Sequence, residues 1–492
     1  MSRRASFQSF IISQYAGILP SSQRSLRARS LLALALIALL ASSPALAKDP
    51  PPNLTALDAY IAKPDSSYAW NVVSTTQGDG FTTYVVDLKS QTWRDPKEVD
   101  RTLWEHWLTI VKPDGVQNKT ALLWIAGGKN GDDAPQSPNA DIVRMAVASK
   151  TVVAELKQIP NQPLMFFQDG KQRKEDDLIA YTWVKFMKTS DPTWTARMPM
   201  VKSAVRAMDT IQAVLATPEA GKTKIDRFVV TGGSKRGWTT WLTGAVDKRV
   251  VAIIPIVIDV LNVRASMQHH HDAYGFWAPS VGDYVHHNVM AMNDSQEYID
   301  LLKVEDPYSY IDRLTMPKYV VNAAGDQFFL PDSSKFYFDK LKGEKYLRYV
   351  PNANHSLDGS DARQSILTFY EAVADNKPRP KFDWKFAEDG SIHVTTVDKP
   401  KEVKLWQATN PKARDFRLES LGPKYESSTL EPAADGTYTA RIEKPAEGWT
   451  AFFVELTFES GYAFPFKFTT AVRVTPDVLP HKGKPLVDPP KN

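Results

Sequence analysis

The chain predicts an α/β fold: a mostly parallel sheet covered by helices on both faces, interrupted by one long insertion and followed by a β-rich C-terminal part. Three observations predict it. Between residues 121 and 349 short, unbroken apolar runs alternate with helical patterns; from Ile258 to Pro317 that alternation lapses for nearly 60 residues; past Asn376 short stretches of period-two alternation replace it. Unbroken apolar runs mark strands buried on both faces, which is the condition of a parallel sheet.

The elements follow in order. Residues 68–75 and 81–88 are β-rich and flank Gly78-Asp79-Gly80, so they predict an antiparallel hairpin. Residues 104–111 add an extended segment, and 121–126 form an apolar strand that ends at Gly127-Gly128. The pattern then predicts helices over 140–149, 175–187 and 199–215, strands over 151–156 and 228–230, and a helix that starts near Thr239. Strands over 251–258, 319–323 and 346–349 follow, with a helix over 333–341. The lapse at about 259–317 is rich in His, Tyr, Trp and Asn and is expected to be a cap, since a crossover needs far less chain. A basic, Pro-rich linker at 377–380 closes a first domain of residues 48–376, and alternating stretches between 391 and 472 predict a separate small β-sandwich over 380–475. Residues 476–492 are rich in Lys, Pro and Gly and are expected to be a disordered tail.

The first 47 residues carry five arginines and no acid, and Arg24 to Arg29 precede the apolar run Leu31 to Ala41 and the small-residue site Ala45-Leu46-Ala47. This predicts a secretory signal peptide over 1–47, a mature start at Lys48, and a periplasmic or secreted location. The run is too short to span a bilayer, so no integral membrane segment is expected after cleavage. Beyond Ala47, 55 Lys+Arg face 56 Asp+Glu, and that balance removes the basic surplus that nucleic-acid binding requires. Zero cysteine excludes disulfides, thiolate nucleophiles and Cys-ligated metals.

The chemistry concentrates at Gly232-Gly233-Ser234-Lys235-Arg236-Gly237-Trp238, a strand turning sharply toward a helix. A serine there projects its hydroxyl above the sheet, the nucleophile elbow of an α/β-hydrolase fold. The general pattern is G-x-S-x-G; here Gly232 stands at −2, but +2 is Arg236 and the second glycine is Gly237 at +3. The bland alternative is a serine that merely caps a helix. An acid and a histidine follow in the chain order of hydrolases, each just past a predicted strand: Asp326, with Asp332 as its rival, and His355. Asp332 with Ser333 reads equally as the cap of the following helix. The oxyanion donors are expected from the backbone N–H of Lys235 and from the glycine-rich loop at Gly128. The Lys235 side chain is either a cation for that oxyanion or a solvated surface lysine.

With Gly275-Phe276-Trp277-Ala278-Pro279-Ser280, Gly325-Asp326-Gln327-Phe328-Phe329-Leu330-Pro331-Asp332 and Asn354-His355-Ser356-Leu357 added to the elbow, the chain resembles the PhoPQ-activated pathogenicity-related proteins from about Leu57 to about Thr475. Gly233 stands where that family is expected to carry alanine. The resemblance implies a secreted α/β-hydrolase-like protein with a C-terminal β-domain, and no defined substrate. The glycine at +3 and cation at +1 also resemble the elbow of glucuronoyl esterases.

Three other groups compete for roles. His269, His270, His271 and Asp272, with His286 and His287, are read as hydrogen-bonded cap residues, with substrate contacts and a metal site as the alternatives, and no metal or cofactor is expected. Tyr274, Trp277 and Tyr284 read as lid packing or an aromatic cage, and Tyr274 and Trp277 are the candidate substrate contacts. Glu175-Asp176-Asp177 opens a helix, where acids suit the dipole; the alternative is an anchor for a substrate amine. Two function classes remain: a serine hydrolase acting on an ester or amide of a small molecule or peptide, or a non-catalytic binding or signalling protein on the same scaffold.

Overall fold

Alternate residues of each central strand face opposite ways, and their partners show that both faces are buried. The computed structural model describes residues 54–485, so the expected signal peptide and the last seven residues lie outside the described part. Three antiparallel strands come first, β1 (Ala69–Gly78), β2 (Phe81–Thr92) and β3 (Leu103–Pro113). Next come β4 (Thr120–Ile125) and β5 (Val153–Leu156), then a small side pair, β6 (Leu164–Met165) with β7 (Gln172–Arg173). The central part is completed by β8 (Arg227–Gly233), β9 (Val250–Ile256), β10 (Lys318–Ala323) and β11 (Lys345–Val350).

The spatial order β1-β2-β3-β5-β4-β8-β9-β10-β11, parallel from β5 to β11, is the order of an α/β-hydrolase sheet with one strand added at its edge. Leu123, Val230 and Ile253 pack into one apolar core with the helices Glu175–Thr189, Arg197–Leu215 and Lys235–Val246. Their neighbours Leu122, Val229 and Ile254 pack into a second core with the helices Ala140–Ser149 and Ala362–Ala374. Between β9 and β10 lies the expected cap: the helices Val263–Tyr274, Gly282–His286 and Gln296–Glu305, joined by 3-10 turns.

Past the linker the chain forms β12 (Phe382–Phe386), β13 (Ile392–Thr396), β14 (Glu402–Asn410), β15 (Glu426–Thr429), β16 (Tyr438–Ala440), β17 (Trp449–Phe458), β18 (Phe466–Thr469) and β19 (Arg473–Thr475). These strands do not make the free-standing sandwich expected over 380–475. β18 pairs with β11, and β17, β14 and β15, with β19 on β17, extend the central sheet to fourteen strands among the described residues, while β12, β13 and β16 form a second small sheet. From Thr55 onward the chain packs as one unit. The reason is the otherwise open edge of β11: the Tyr349 N–H donates to Thr469 Oγ1 at 2.9 Å, Tyr346 stacks on Phe468 at 4.2 Å, and buried Arg348 pairs with Glu455.

Two further expectations change. Residues 333–341 are two 3-10 turns, Ser333–Phe336 and Phe338–Lys340, broken at Tyr337, whose hydroxyl is drawn inward to donate to Asp259. The described start of the expected disordered tail is docked instead: Leu479 packs against a cluster of Tyr274, Phe276 and Leu330, and the His481 N–H donates to the Asp272 carbonyl at 2.9 Å.

Candidate active site

The elbow is built by steric necessity. Ser234 has φ 56° and ψ −126°, a region that costs a non-glycine residue on the order of 1–3 kcal/mol. The helix begins directly at Lys235, four residues earlier than the pattern suggests. A Cβ on Gly232 would lie 2.9 Å from the Arg236 carbonyl oxygen, and one on Gly237 would lie 2.8 Å from the Gly232 carbonyl oxygen and 2.9 Å from that of Ile256. So the glycine at +3 does the work that the general pattern assigns to +2. A Cβ on Gly233 would meet nothing within 4 Å, which accounts for alanine being acceptable there.

Arg236, at +2, leaves the elbow. Its Nη1 and Nη2 donate to Glu175 at 2.9 and 2.7 Å, and its Nε donates to the Ile159 carbonyl. Lys235 Nζ pairs with Glu175 at 2.8 Å and with Asp176 at 3.3 Å. Burial alone would raise the Glu175 pKa, but Arg236 and Lys235 hold the carboxylate far below its usual range. Lys235 is therefore neither a free surface lysine nor a free cation. Asp177 pairs with His287 at 2.6 Å. The acidic run thus serves as an anchor for the elbow and the cap, a role that sequence reading missed; its signal was adjacent Lys-Arg after the serine and a matching acidic trio.

Asp326 and His355 come together as expected. His355 Nδ1 lies 2.8 Å from Asp326 Oδ2, and Asp326 Oδ1 accepts the N–H of Phe328 at 2.7 Å. His355 Nε2 is buried and has no hydrogen-bond partner among the described residues. Phe328 lies 4.4 Å from the His355 ring and also lines the pocket into which Ser234 opens, which sets the imidazole beside that pocket. No hydrogen bond joins Ser234 to His355 among the described residues. The loops bearing Asp326 and His355 are tied to the C-terminal part: the Leu418 N–H donates to the Gly325 carbonyl at 2.9 Å, and Asn352 exchanges two hydrogen bonds of 2.8 Å with the Tyr425 backbone.

Asp332 does not cap a helix. It accepts from Arg414 Nη2 at 2.7 Å and from Lys335 at 2.8 Å, and it lies 2.9 Å from His269 Nε2. Burial pushes its pKa up, but Arg414, His269 and Lys335 outweigh burial and hold it well below 3.8. A third carboxyl, Asp259, follows β9 and accepts from Tyr337 and Tyr349. Burial pushes it up to about 7, against those two hydrogen bonds and aided by the fields of Asp326 and Asp332. Sequence reading passed over it, although an aspartate directly after an apolar strand is a signal in itself.

The pocket at Ser234 takes in about 560 Å³ of space, open solvent included. Its walls come from the helices Glu175–Thr189 and Lys235–Val246, the segment after β9, the cap and the Asp326 loop. Tyr284 lines it; the expected contacts Tyr274 and Trp277 do not. Tyr274 is buried, stacked on Phe276 at 5.5 Å with the Arg417 guanidinium 5.3 Å over its ring, and Trp277 borders a separate groove in the cap. Gly128 is likewise outside the pocket lining. Its φ of 139° requires glycine, and the carbonyls of Gly127 and Gly128 accept from the Gln158 N–H and Gln162 Nε2. Of the cap histidines, His270 accepts the Ala278 N–H at Nε2 at 3.0 Å while its Nδ1 is buried without a partner among the described residues, and His271 meets Asp272 at 3.1 Å. No group of three or more His, Asp or Glu converges to hold a metal among the described residues. No helix among them is long and apolar enough to cross a membrane.

The family model of the PhoPQ-activated pathogenicity-related protein matches residues 57–417. "Autocrine proliferation repressor protein A" of Dictyostelium discoideum is 40% identical over 460 residues, which cover 87% of this chain and 91% of that protein. Among solved structures, the acetyl xylan esterase from Paenibacillus sp. R4 is 15% identical with a TM-score of 0.45, covering 66% of this chain and 96% of its own. The glucuronoyl esterase from Solibacter usitatus is 16% identical with a TM-score of 0.37, covering 65% and 90%. The fold assignment rests on the strand order and the elbow, not on these likenesses.

Proposed function

We propose that this chain, which belongs to the PhoPQ-activated pathogenicity-related protein family, is an exported serine hydrolase that cleaves an ester or amide through an acyl-enzyme on Ser234. One observation carries the reading: an imidazole held by Asp326 through Nδ1, with Nε2 buried and unpartnered, beside a pocket that contains the elbow serine. His355 Nε2 takes the Ser234 proton as Oγ attacks the carbonyl, and Asp326 keeps the tautomer and stabilises the imidazolium. The Lys235 backbone N–H donates to the oxyanion, and the loop that follows β4 is the candidate source of the second donor. The tetrahedral adduct collapses, the C–O or C–N bond breaks, and His355 returns the proton to the leaving alcohol or amine. Water, activated by the same imidazole, then frees the acid and Ser234; the atom balance needs no cofactor.

A second reading, a signalling protein with an idle site, is favoured by the name of the Dictyostelium relative and by the unmade bond between Ser234 and His355. Trapping decides between them. Acid quench within the first turnover of an activated ester should leave the acyl mass on the peptide containing Ser234, and Ser234→Ala should carry none. An unmodified peptide across a panel of activated esters would reject the hydrolase reading.

A further inference from the structure

We propose, resting on the hydrolase reading, that the substrate presents an uncharged, apolar group to the pocket beside Ser234, and that sugar esters are not what this pocket selects. Two features of the walls lead there.

The first is that each charge in the pocket already faces a counter-charge, with Arg197 Nη2 the one guanidinium nitrogen of the lining that is buried without a hydrogen-bond partner among the described residues. Arg197 Nε pairs with the buried carboxylate of Glu305 at 3.2 Å, and its Nη1 donates to the Lys235 carbonyl at 2.9 Å. Lys235 Nζ is held by Glu175 and Asp176, and Asp176 also accepts from the Tyr284 hydroxyl at 3.2 Å. A charged substrate group entering here would lose its water and find only cations and carboxylates engaged with one another.

The second is that the remaining walls present apolar surface. Trp183, Trp238, Tyr298, Met267, Met290 and Phe329 line the space. Trp238 turns its only polar atom away, donating Nε1–H to the Glu305 carbonyl at 2.6 Å and carrying the Arg197 guanidinium 4.5 Å over its ring. Tyr284 spends its hydroxyl on Asp176 and offers its ring. A sugar ring would bring several hydroxyls into a space that answers few of them, whereas an apolar group buries area against most of the walls. The contributing segments come from the sheet end, three helices and the cap, so the pocket is a constructed one rather than a gap beside a single element.

Two ester series test this. One varies the acyl group as p-nitrophenyl acetate, butyrate and phenylacetate; the other varies the alcohol as the methyl and benzyl esters of one acid. At least one series should gain about 10-fold or more in kcat/KM from its smallest to its largest member, since each methylene in an apolar pocket is worth roughly 10-fold or more. Met290→Trp, which narrows the pocket from the cap, should lower the ratio of large to small substrate kcat/KM by about 10-fold, measured per Ser234 that takes a fluorophosphonate label. Turnover of acetate and methyl esters with no gain in either series, or a clear preference for acetylated sugars over both, would overturn the pocket assignment and leave the hydrolase reading intact. No turnover in either series together with an unlabelled Ser234 would overturn both.

Discussion

Two aspartates six residues apart on one loop each meet a histidine at almost the same distance, Asp326 with His355 at 2.8 Å and Asp332 with His269 at 2.9 Å. The surroundings separate them. Asp326 spends its other oxygen on backbone N–H groups and has no cation paired with it among the described residues, and the far nitrogen of its histidine is left without a partner. Asp332 is gripped by Arg414 and Lys335, and its histidine joins the cap helix Val263–Tyr274 to the loop. The first arrangement leaves a proton free to move; the second fixes charge in place. An Asp–His pair is thus only half of a catalytic unit, and what the far nitrogen and the spare carboxylate oxygen touch decides the rest.

Mutation separates the two aspartates most widely. Asp326→Asn should reduce kcat by on the order of 10⁴ with an unchanged thermal midpoint, because the amide leaves the wrong imidazole tautomer without disturbing a charge network. Asp332→Asn should act in the other sense: Arg414 loses its carboxylate in a buried site, unfolding free energy falls by about 3–5 kcal/mol in denaturant titration, and turnover per folded molecule persists. That cost exceeds a helix cap's, and it follows from Asp332 being a buried ion-pair centre.

Acid sharpens the same contrast. The Asp332 carboxylate is depressed on folding, so its contribution is complete above the ordinary value of 3.8 and is lost as pH falls toward its folded pKa. Wild type should therefore lose stability below about pH 4 more steeply than Asp332→Asn. Asp259 has the opposite sign. Its folded pKa is raised to about 7, so the folded state keeps a proton that the unfolded chain gives up, and stability falls as pH rises from the ordinary 3.8 through 7. Asp259→Asn should flatten that slope in unfolding measurements between pH 5 and pH 8, the smallest of these effects near neutrality.

Ser234, Asp326 and His355 were legible because each is fixed by local sequence: an apolar strand run, then a polar residue where a parallel sheet presents its loops. The six parallel strands were legible for the same reason. What was not legible depends on partners distant in the chain. Arg414 reaches Asp332 across 82 residues, and no spacing rule connects them. The merging of the C-terminal strands into the central sheet hangs on the pairing of β18 with β11, while the alternating pattern of those strands is the same for a sheet that stands alone. Tyr274 and Trp277 misled because an aromatic in a cap reads alike whether it faces a ligand or Arg417. Glycines were informative in one direction only: Gly237 marks a close backbone approach at the elbow, and Gly128 marks a turn without showing which way its N–H points.

In the proposed mechanism Ser234 is activated by His355 under the control of Asp326 and not of Asp332. The rate at which a fluorophosphonate probe labels Ser234, read by mass spectrometry in wild type, Asp326→Asn and Asp332→Asn, tests it directly. Wild type should label rapidly, Asp326→Asn should label more slowly by orders of magnitude, and the folded fraction of Asp332→Asn should label at a near-wild-type rate. Absence of label on wild-type Ser234, or a loss of labelling in Asp332→Asn with Asp326→Asn unaffected, would contradict it.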